Sequence, residues 1–184
     1  MKKVIISVLG QDRPGIIAAV SQLLYENDSN IENVSQTSLQ SEFAGIFIAT
    51  IPADMPLTDL AHELEVVLAP MGLQVHVKPV EPRHEETNGR LAESFVITTR
   101  GPDQKGLVAR ITAIIARHQV NITNCQAVFK GGANPNDNIM IYEVDIPPQT
   151  SQREFFHDLR TQGDALSLHI SIQHRDIFMA LNRI

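Results

Sequence analysis

The chain predicts an α+β fold in which one βαββαβ unit is built twice. Three observations carry that expectation. The first is a repeat in register: Gly10-Gln11-Asp12-Arg13-Pro14-Gly15 returns as Gly101-Pro102-Asp103-Gln104-Lys105-Gly106, at an offset of 91 residues. The offset holds beyond the glycines, since Ile16, Ala18, Val20, Leu24, Asn30, Ile31 and Asn33 are answered by Leu107, Ala109, Ile111, Ile115, Asn121, Ile122 and Asn124. The second is that apolar spacing switches between strand and helix periods in the same order in both halves. The third is a charged segment with Pro and Gly and no period at residues 81–92, which reads as a linker. The expected domains are residues 1–80 and 93–175, followed by a tail at 176–184.

In the first copy, residues 3–9 are β-branched and apolar and read as a strand ending at Gly10. Apolar residues then fall at Ile16, Ile17, Val20, Leu23 and Leu24, the stripe of an amphipathic helix. Pro14 suits a first helical turn, and Asp12 is the better of two candidate caps beside Arg13. Asn30 is a candidate for a left-handed turn after the helix. Residues 31–39 read as a second strand, Ser41-Glu42 as the hairpin turn, and residues 43–51 as a third strand with Phe43, Gly45, Phe47, Ala49 and Ile51 on one face. Leu57, Leu60, Leu64, Val67, Leu68 and Met71 make a second helical stripe, closed by Pro70-Met71-Gly72. Leu73, Val75 and Val77 alternate as a fourth strand. Strand, helix, strand, strand, helix, strand is the ferredoxin-like arrangement, with helices on one face of an antiparallel sheet.

The second copy repeats the order. Strands are expected at residues 95–99, 122–129 and 139–146, and a helix at 107–117. Residues 130–138, rich in Gly and Asn, form a longer hairpin loop than their counterpart. Phe155, Phe156 and Leu159 mark a helix over residues 151–162, and Leu166, Leu168, Ile170 and Ile172 a last strand. The tail carries Ile177, Phe178 and Leu181 and reads as helical. One feature is excessive for a sheet covered on one side: the third strand is apolar on both faces, with Ile46 and Ile48 opposing Phe47 and Ala49. Its second face is expected to be covered as well.

Composition narrows the function. Domains of 80 to 90 residues bury only about 60–65% of their unfolded surface, so support from a neighbouring domain or a second subunit is expected. No apolar run approaches membrane-span length and no signal-peptide core follows Met1, so cytoplasm is the expected location. The single Cys125 leaves no internal disulfide. With a net charge of −6 and scattered basic residues, direct nucleic-acid binding is disfavoured.

The Gly-x-Asp-x-x-Gly bend carries the chemistry. A strand ends, the chain turns, and a helix begins whose first amides have no partner within the helix, a setting suited to a carboxylate or phosphate. Gly15 and Gly106 remove a side chain where a ligand or another backbone approaches. Asp12 and Asp103 can accept an ammonium group, so one bend can meet both ends of an amino acid. The alternative assigns Asp to capping and Gly to the turn. Asn30, Asn33, Asn121 and Asn124 follow the helices and extend the candidate set, which is completed by Gly10, Arg13 and Gly101.

Two tandem copies of strand, Gly-x-Asp-x-x-Gly, helix, Asn-Ile-x-Asn, strand resemble ACT domains. The opening Gly-Gln-Asp-Arg-Pro-Gly-Ile-Ile with Asn-Ile-Glu-Asn resembles the subclass in glycine cleavage system transcriptional repressors, over nearly the whole chain. The resemblance implies an amino-acid-sensing regulator, with glycine a candidate ligand. It further implies binding between paired modules, homo-oligomers and action through a protein partner such as a transcriptional regulator. Formyltetrahydrofolate deformylases and uridylyltransferases carry similar segments beside catalytic domains that this chain has no room for. The second copy departs from the pattern, with Gln104-Lys105 in place of Arg13-Pro14, which puts equal affinity at the two sites in doubt.

Nothing else rises to a site. Gly131-Gly132-Ala133 lacks the ending of a phosphate loop. The seven His residues do not fall at metal-ligand spacing. Cys125 aligns with Val34 and reads as a small core filler. No cofactor and no catalytic constellation are expected. Two competing readings stand beside the sensor: a ligand-independent interaction module, and a detached regulatory subunit of an amino-acid or one-carbon enzyme.

Overall fold

The computed structural model describes residues 1–81, 92–129 and 138–181. Most of the expected linker, residues 130–137 of the expected hairpin loop and residues 182–184 of the tail lie outside the described residues. The chain divides into two compact units, Met1–Glu85 and Glu86–Ile184.

Unit 1 runs β1 (Lys2–Gln11), α1 (Ile16–Glu26), β2 (Asn30–Leu39), β3 (Glu42–Ile51), α2 (Leu57–Leu68) and β4 (Leu73–Pro79), with a short 3-10 turn at Ala69–Met71. Its sheet has the order β2-β3-β1-β4, with antiparallel neighbours throughout. Unit 2 repeats this as β5 (Glu93–Gly101), α3 (Leu107–Arg117), β6 (Asn121–Phe129), β7 (Asn138–Ile146), α4 (Gln152–Ala165) and β8 (His169–His174), in the order β6-β7-β5-β8. Both are ferredoxin-like. A final helix, α5 (Arg175–Leu181), has no counterpart among the described residues of unit 1.

The helical stripes bury as their spacing requires. Ile16, Val20, Leu23 and Leu24 of α1 and Leu60, Leu64 and Leu68 of α2 close over Val4, Ile6, Val8, Phe47 and Ile51. In unit 2, Ile111, Ile115, Phe155 and Leu159 close over Ile97, Tyr142, Val144 and Ile146. The β3 face read from the sequence is the core face: Phe43, Gly45, Phe47, Ala49 and Ile51 are all buried. Ser151 caps α4 by accepting from the amide of Glu154 at 3.4 Å, as Ser-x-x-Glu encodes.

Several boundaries differ from the expected ones. The first helix begins only at Ile16; Pro14 lies before it, and Gly15 with φ 97° is the residue at its cap. The left-handed residue after α1 is Asp28 (φ 49°), matched in unit 2 by Gln119 (φ 56°); Asn30 is already the first residue of β2. The β2–β3 turn falls on Gln40, at φ 56°, and Ser41 rather than on Ser41-Glu42. Leu166 and Leu168 are buried ahead of β8, not in it. Cys125 is exposed on an edge strand and fills no core.

Gly10 and Gly101 are set by packing. A Cβ on Gly10 would stand 2.6 Å from the carbonyl oxygen of Gly72, and one on Gly101 would stand 2.7 Å from that of Ser167. Each glycine lets the end of a strand pass directly beneath the turn that starts a neighbouring strand. Gly10→Ala is expected to lower unfolding stability by about 1–3 kcal/mol, the usual range for overpacking. A lower urea midpoint with an unchanged slope is the readout.

Candidate functional site

The two bends share one construction. After β1, the amide of Asp12 donates to the Ser41 carbonyl at 2.7 Å, and Ser38 Oγ donates to Asp12 Oδ2 at 2.7 Å. Arg13 Nη1 donates to the Met71 carbonyl at 3.2 Å. In unit 2, Asn138 Nδ2 donates to Asp103 Oδ1 at 3.2 Å, and Gln104 Nε2 donates to the Leu166 carbonyl at 2.8 Å. Arg13 and Gln104 therefore do the same work: each ties its bend to the turn before the fourth strand of its own unit. The replacement of Arg13 by Gln104 leaves that tie intact.

Neither Asp caps its helix. Asp12 and Asp103 are turned toward the β-hairpin, and α1 and α3 start at Gly15 and Gly106 (φ 86°) with no side-chain cap and no acidic residue in the first turn. The helix-start amides are left to solvent or a ligand. Beside Gly15 a Cβ would meet nothing within 4 Å, so the ground in front of those amides is open. Beside Gly106 it would meet only Arg110 Nε, at 4.0 Å. Each bend thus carries a carboxylate held by the hairpin and, a few residues on, a helix start with no side-chain cap and little obstruction at its glycine. Gly10 and Gly101, whose Cβ positions are filled by backbone, support the bend from behind.

The asparagines are elsewhere. Asn30 pairs with Thr50, which pairs with Lys3 at the start of β1, while Ser38 pairs with Phe43 near its end. Ser38 lies eight positions along β2 from Asn30, roughly 26 Å at the usual rise. Asn30 and Asn121 therefore lie at the opposite end of the sheet from Asp12 and Asp103, and Asn33 and Asn124 lie nearer its middle. Within a unit, bend and asparagines do not form one site. A β-bulge interrupts the pairing between Ile31 and Asn33, and again between Ile122 and Asn124. Bulged Glu32 is held by Lys3 Nζ at 2.7 Å and by the Thr50 hydroxyl. Asn124 Nδ2 donates to Glu143 Oε1 at 2.9 Å, whereas Asn33 faces Ile48 across the ladder. Asn121 also lines an open hollow of about 540 Å³ against α3, with Thr112, Ala113, Ala116 and Ile122. No residue of the unit 2 bend lines it.

Sequence reasoning missed Ser38, Ser41 and Asn138. The hairpin brings them to the bend from 26 to 35 residues away, and only their place at the far end of the β2–β3 and β6–β7 ladders gives them away.

The His118 imidazole, which shares a 2.8 Å hydrogen bond with Asp158 Oδ2, holds that carboxyl below its usual range, aided by Arg117 at 2.6 Å. The contacts from Lys3 and Thr50 lower Glu32. Desolvation raises the Cys125 thiol, which makes it a poor nucleophile at neutral pH. Burial, with Cys125 alongside, pushes Tyr142 up to about 12. Tyr142 Oη is buried without a hydrogen-bond partner in the structure.

The sequence profile of the ACT domain matches residues 2–78 and 93–134. A UPF0237 protein of Methanocaldococcus jannaschii is 42% identical over 79 residues, which is 42% of this chain and 88% of that protein. An unknown protein from Galdieria sulphuraria superposes with a TM-score of 0.77 at 22% identity, covering 94% of this chain and 98% of the other. A protein provisionally described as a glycine cleavage system transcriptional repressor superposes at 0.68 and 19% identity, covering 94% and 96%. At those identities the two structures speak for the fold alone.

Two outcomes follow. The Asp158 carboxyl is depressed in the folded state, so its contribution is complete above the ordinary carboxylate range, about pH 4, and is lost as pH falls through the folded value. Asp158→Asn is expected to flatten the acid limb of a stability–pH curve measured by chemical denaturation. Tyr142→Phe removes a buried hydroxyl that has no partner and places at this position the residue that unit 1 carries as Phe47. It is expected to be neutral or to stabilise by up to about 1–3 kcal/mol in thermal unfolding.

Proposed function

The chain belongs to the ACT domain family, and from that premise we propose that it is a non-enzymatic regulator that binds a small amino acid at its Gly-x-Asp-x-x-Gly bends. One observation carries this reading: uncapped helix-start amides stand beside Asp12 with open ground at Gly15. The amides of α1 take the carboxylate, favoured by the positive end of the helix. Asp12, already oriented by Ser38, takes the ammonium. The absent Cβ at Gly15 leaves room for a small ligand, so glycine heads the list.

The separation of bend and asparagines gives the reading an architecture. β2 is an edge strand with nearly every residue exposed. A second copy whose β2 runs antiparallel along this edge would bring its Asn30 opposite Leu39, next to Ser38 and Asp12. The ligand would then draw on two modules, and binding and association would be coupled through unequal ligand affinity for the paired and unpaired states. Through that coupling the chain would signal to a protein partner. Regulation of transcription of a glycine cleavage system is the specific case that the name of a structural neighbour offers. With net charge −6, any such effect runs through the partner and not through direct contact with DNA.

Titration calorimetry across a panel of amino acids tests the reading. Glycine or another small amino acid is expected to give saturable heat. Asp12→Asn is expected to weaken binding at least tenfold, about 1.4 kcal/mol, and Asn30→Ala to weaken it without altering the fold. No heat for any amino acid at millimolar concentration would leave the interaction-module reading, in which a partner binds regardless of ligand.

A further inference from the structure

The two bends are tethered alike but do not carry the same charge. At the repeat offset of 91, Lys105 answers Pro14 and Arg110 answers Ala19. Residues 10–19 hold one acid and one base, Asp12 and Arg13, and balance. Residues 101–110 hold Asp103 against Lys105 and Arg110, and are left with one positive charge. The base of the first bend is also occupied, with Arg13 Nη1 on the Met71 carbonyl at 3.2 Å. In the second bend the neutral Gln104 makes that tie, so both bases are left for other work.

Their placement agrees with the sum. Helical side chains lean toward the N-terminus of their helix. Arg110, in the first turns of α3, leans back over the cap, and its Nε stands 4.0 Å from the place a Cβ on Gly106 would take. Among the described residues neither Arg110 nor Lys105 has a hydrogen-bond or ion-pair partner, and both are exposed. The positive end of the α3 dipole lies at the same spot, with no side-chain cap and no acidic residue in the first turn. Two unpaired cations there repel each other and the dipole, and an anion bound at the cap relieves all three. In unit 1 the position of Arg110 is held by Ala19, packed against the core, and nothing stands within 4 Å of a Cβ on Gly15.

We propose that the unit 2 bend selects an amino acid with a second acidic group, of the aspartate and glutamate class, while the unit 1 bend takes a neutral zwitterion. The assignment rests on the bends binding amino acids at all. The α-carboxylate lies on the α3 amides and the ammonium at Asp103, while Arg110 and Lys105 take the side-chain carboxylate. Arg110 offers the planar fork that matches a carboxylate, and Lys105 adds a point charge. The ligand's one excess negative charge meets the one excess positive charge of residues 101–110. The chain then reads two amino acids of different charge, and not one amino acid twice.

The experiment is titration calorimetry on the full chain with glycine, L-aspartate, L-glutamate and inorganic phosphate. Asp12→Asn silences the unit 1 bend and Asp103→Asn the unit 2 bend, with circular dichroism confirming that each protein is folded. With Asp12→Asn, aspartate or glutamate is expected to bind about tenfold more tightly than glycine. Adding Arg110→Ala should cut that preference to about twofold while glycine affinity holds, and Arg110→Lys should keep most of it. With Asp103→Asn, glycine is expected to bind more tightly than either acid. If no amino acid binds the wild type, the ligand-binding reading and this inference fall together. Glycine binding at both bends with no acid preference in the Asp12→Asn protein overturns this inference alone. So does an acid preference that survives Arg110→Ala, which assigns the second carboxylate to other groups. Phosphate binding as tightly as the two acids would also overturn it, marking a plain anion site.

Discussion

The bend in each unit depends on one close passage of backbone. Gly10 lies beneath the carbonyl of Gly72, and Gly101 beneath that of Ser167, closer than any side chain permits. That passage pins the end of the first strand to the turn that opens the fourth. Arg13 and Gln104 then anchor the next residues to the carbonyls one position earlier in that turn, at Met71 and Leu166. With both ends fixed, the chain has five residues in which to leave the sheet and start a helix. Gly15 and Gly106 make that possible by taking up a left-handed conformation. The open amides are a consequence of this path: a left-handed glycine at the cap has no side chain to satisfy them.

The same constraint explains why Asp12 does not cap its helix. The strand end holds it beside the β2–β3 hairpin, where Ser41 takes its amide proton and Ser38 its carboxylate. In unit 2 the hydroxyl of Ser38 gives way to the amide of Asn138 on the partner strand, yet Asp103 is held in the same role. Two different donors serving one carboxylate indicate that its orientation matters more than the identity of the group that fixes it.

Much of this was legible in the sequence. The helical stripes, the β3 core face and the Ser151 cap are local signals, and local signals survive folding when the core they point to is the only one available. The repeat gave the architecture twice over. What was not legible depends on distant ladders. A cap at Asp12 is locally reasonable, but the hairpin offers that carboxylate a partner from 26 residues away. Reading Asn30 together with Asp12 was natural in sequence, since only the helix separates them. The helix, however, carries the chain back along the sheet, and β2 starts at the far end. The departure of Gln104-Lys105 put equal affinity at the two sites in doubt; what the fold adds is that Gln104 makes the same tether as Arg13.

Comparison of the two units separates what the fold requires from what it permits. Both need the crossing glycines, the left-handed cap and the anchored bend, and neither varies them in geometry. They diverge at the edges and on the outer face. Val34 and Phe47 become Cys125 and Tyr142, so a phenol is buried where a phenyl ring packs equally well. Asn33 faces Ile48, whereas Asn124 is held by Glu143, and Glu143 in turn meets Arg175 of α5. The extra helix is thus tied to the strand pair that bears one of the second set of asparagines. The two bends are tethered alike, whereas the sheet edge and outer face around Asn33 and Asn124 differ.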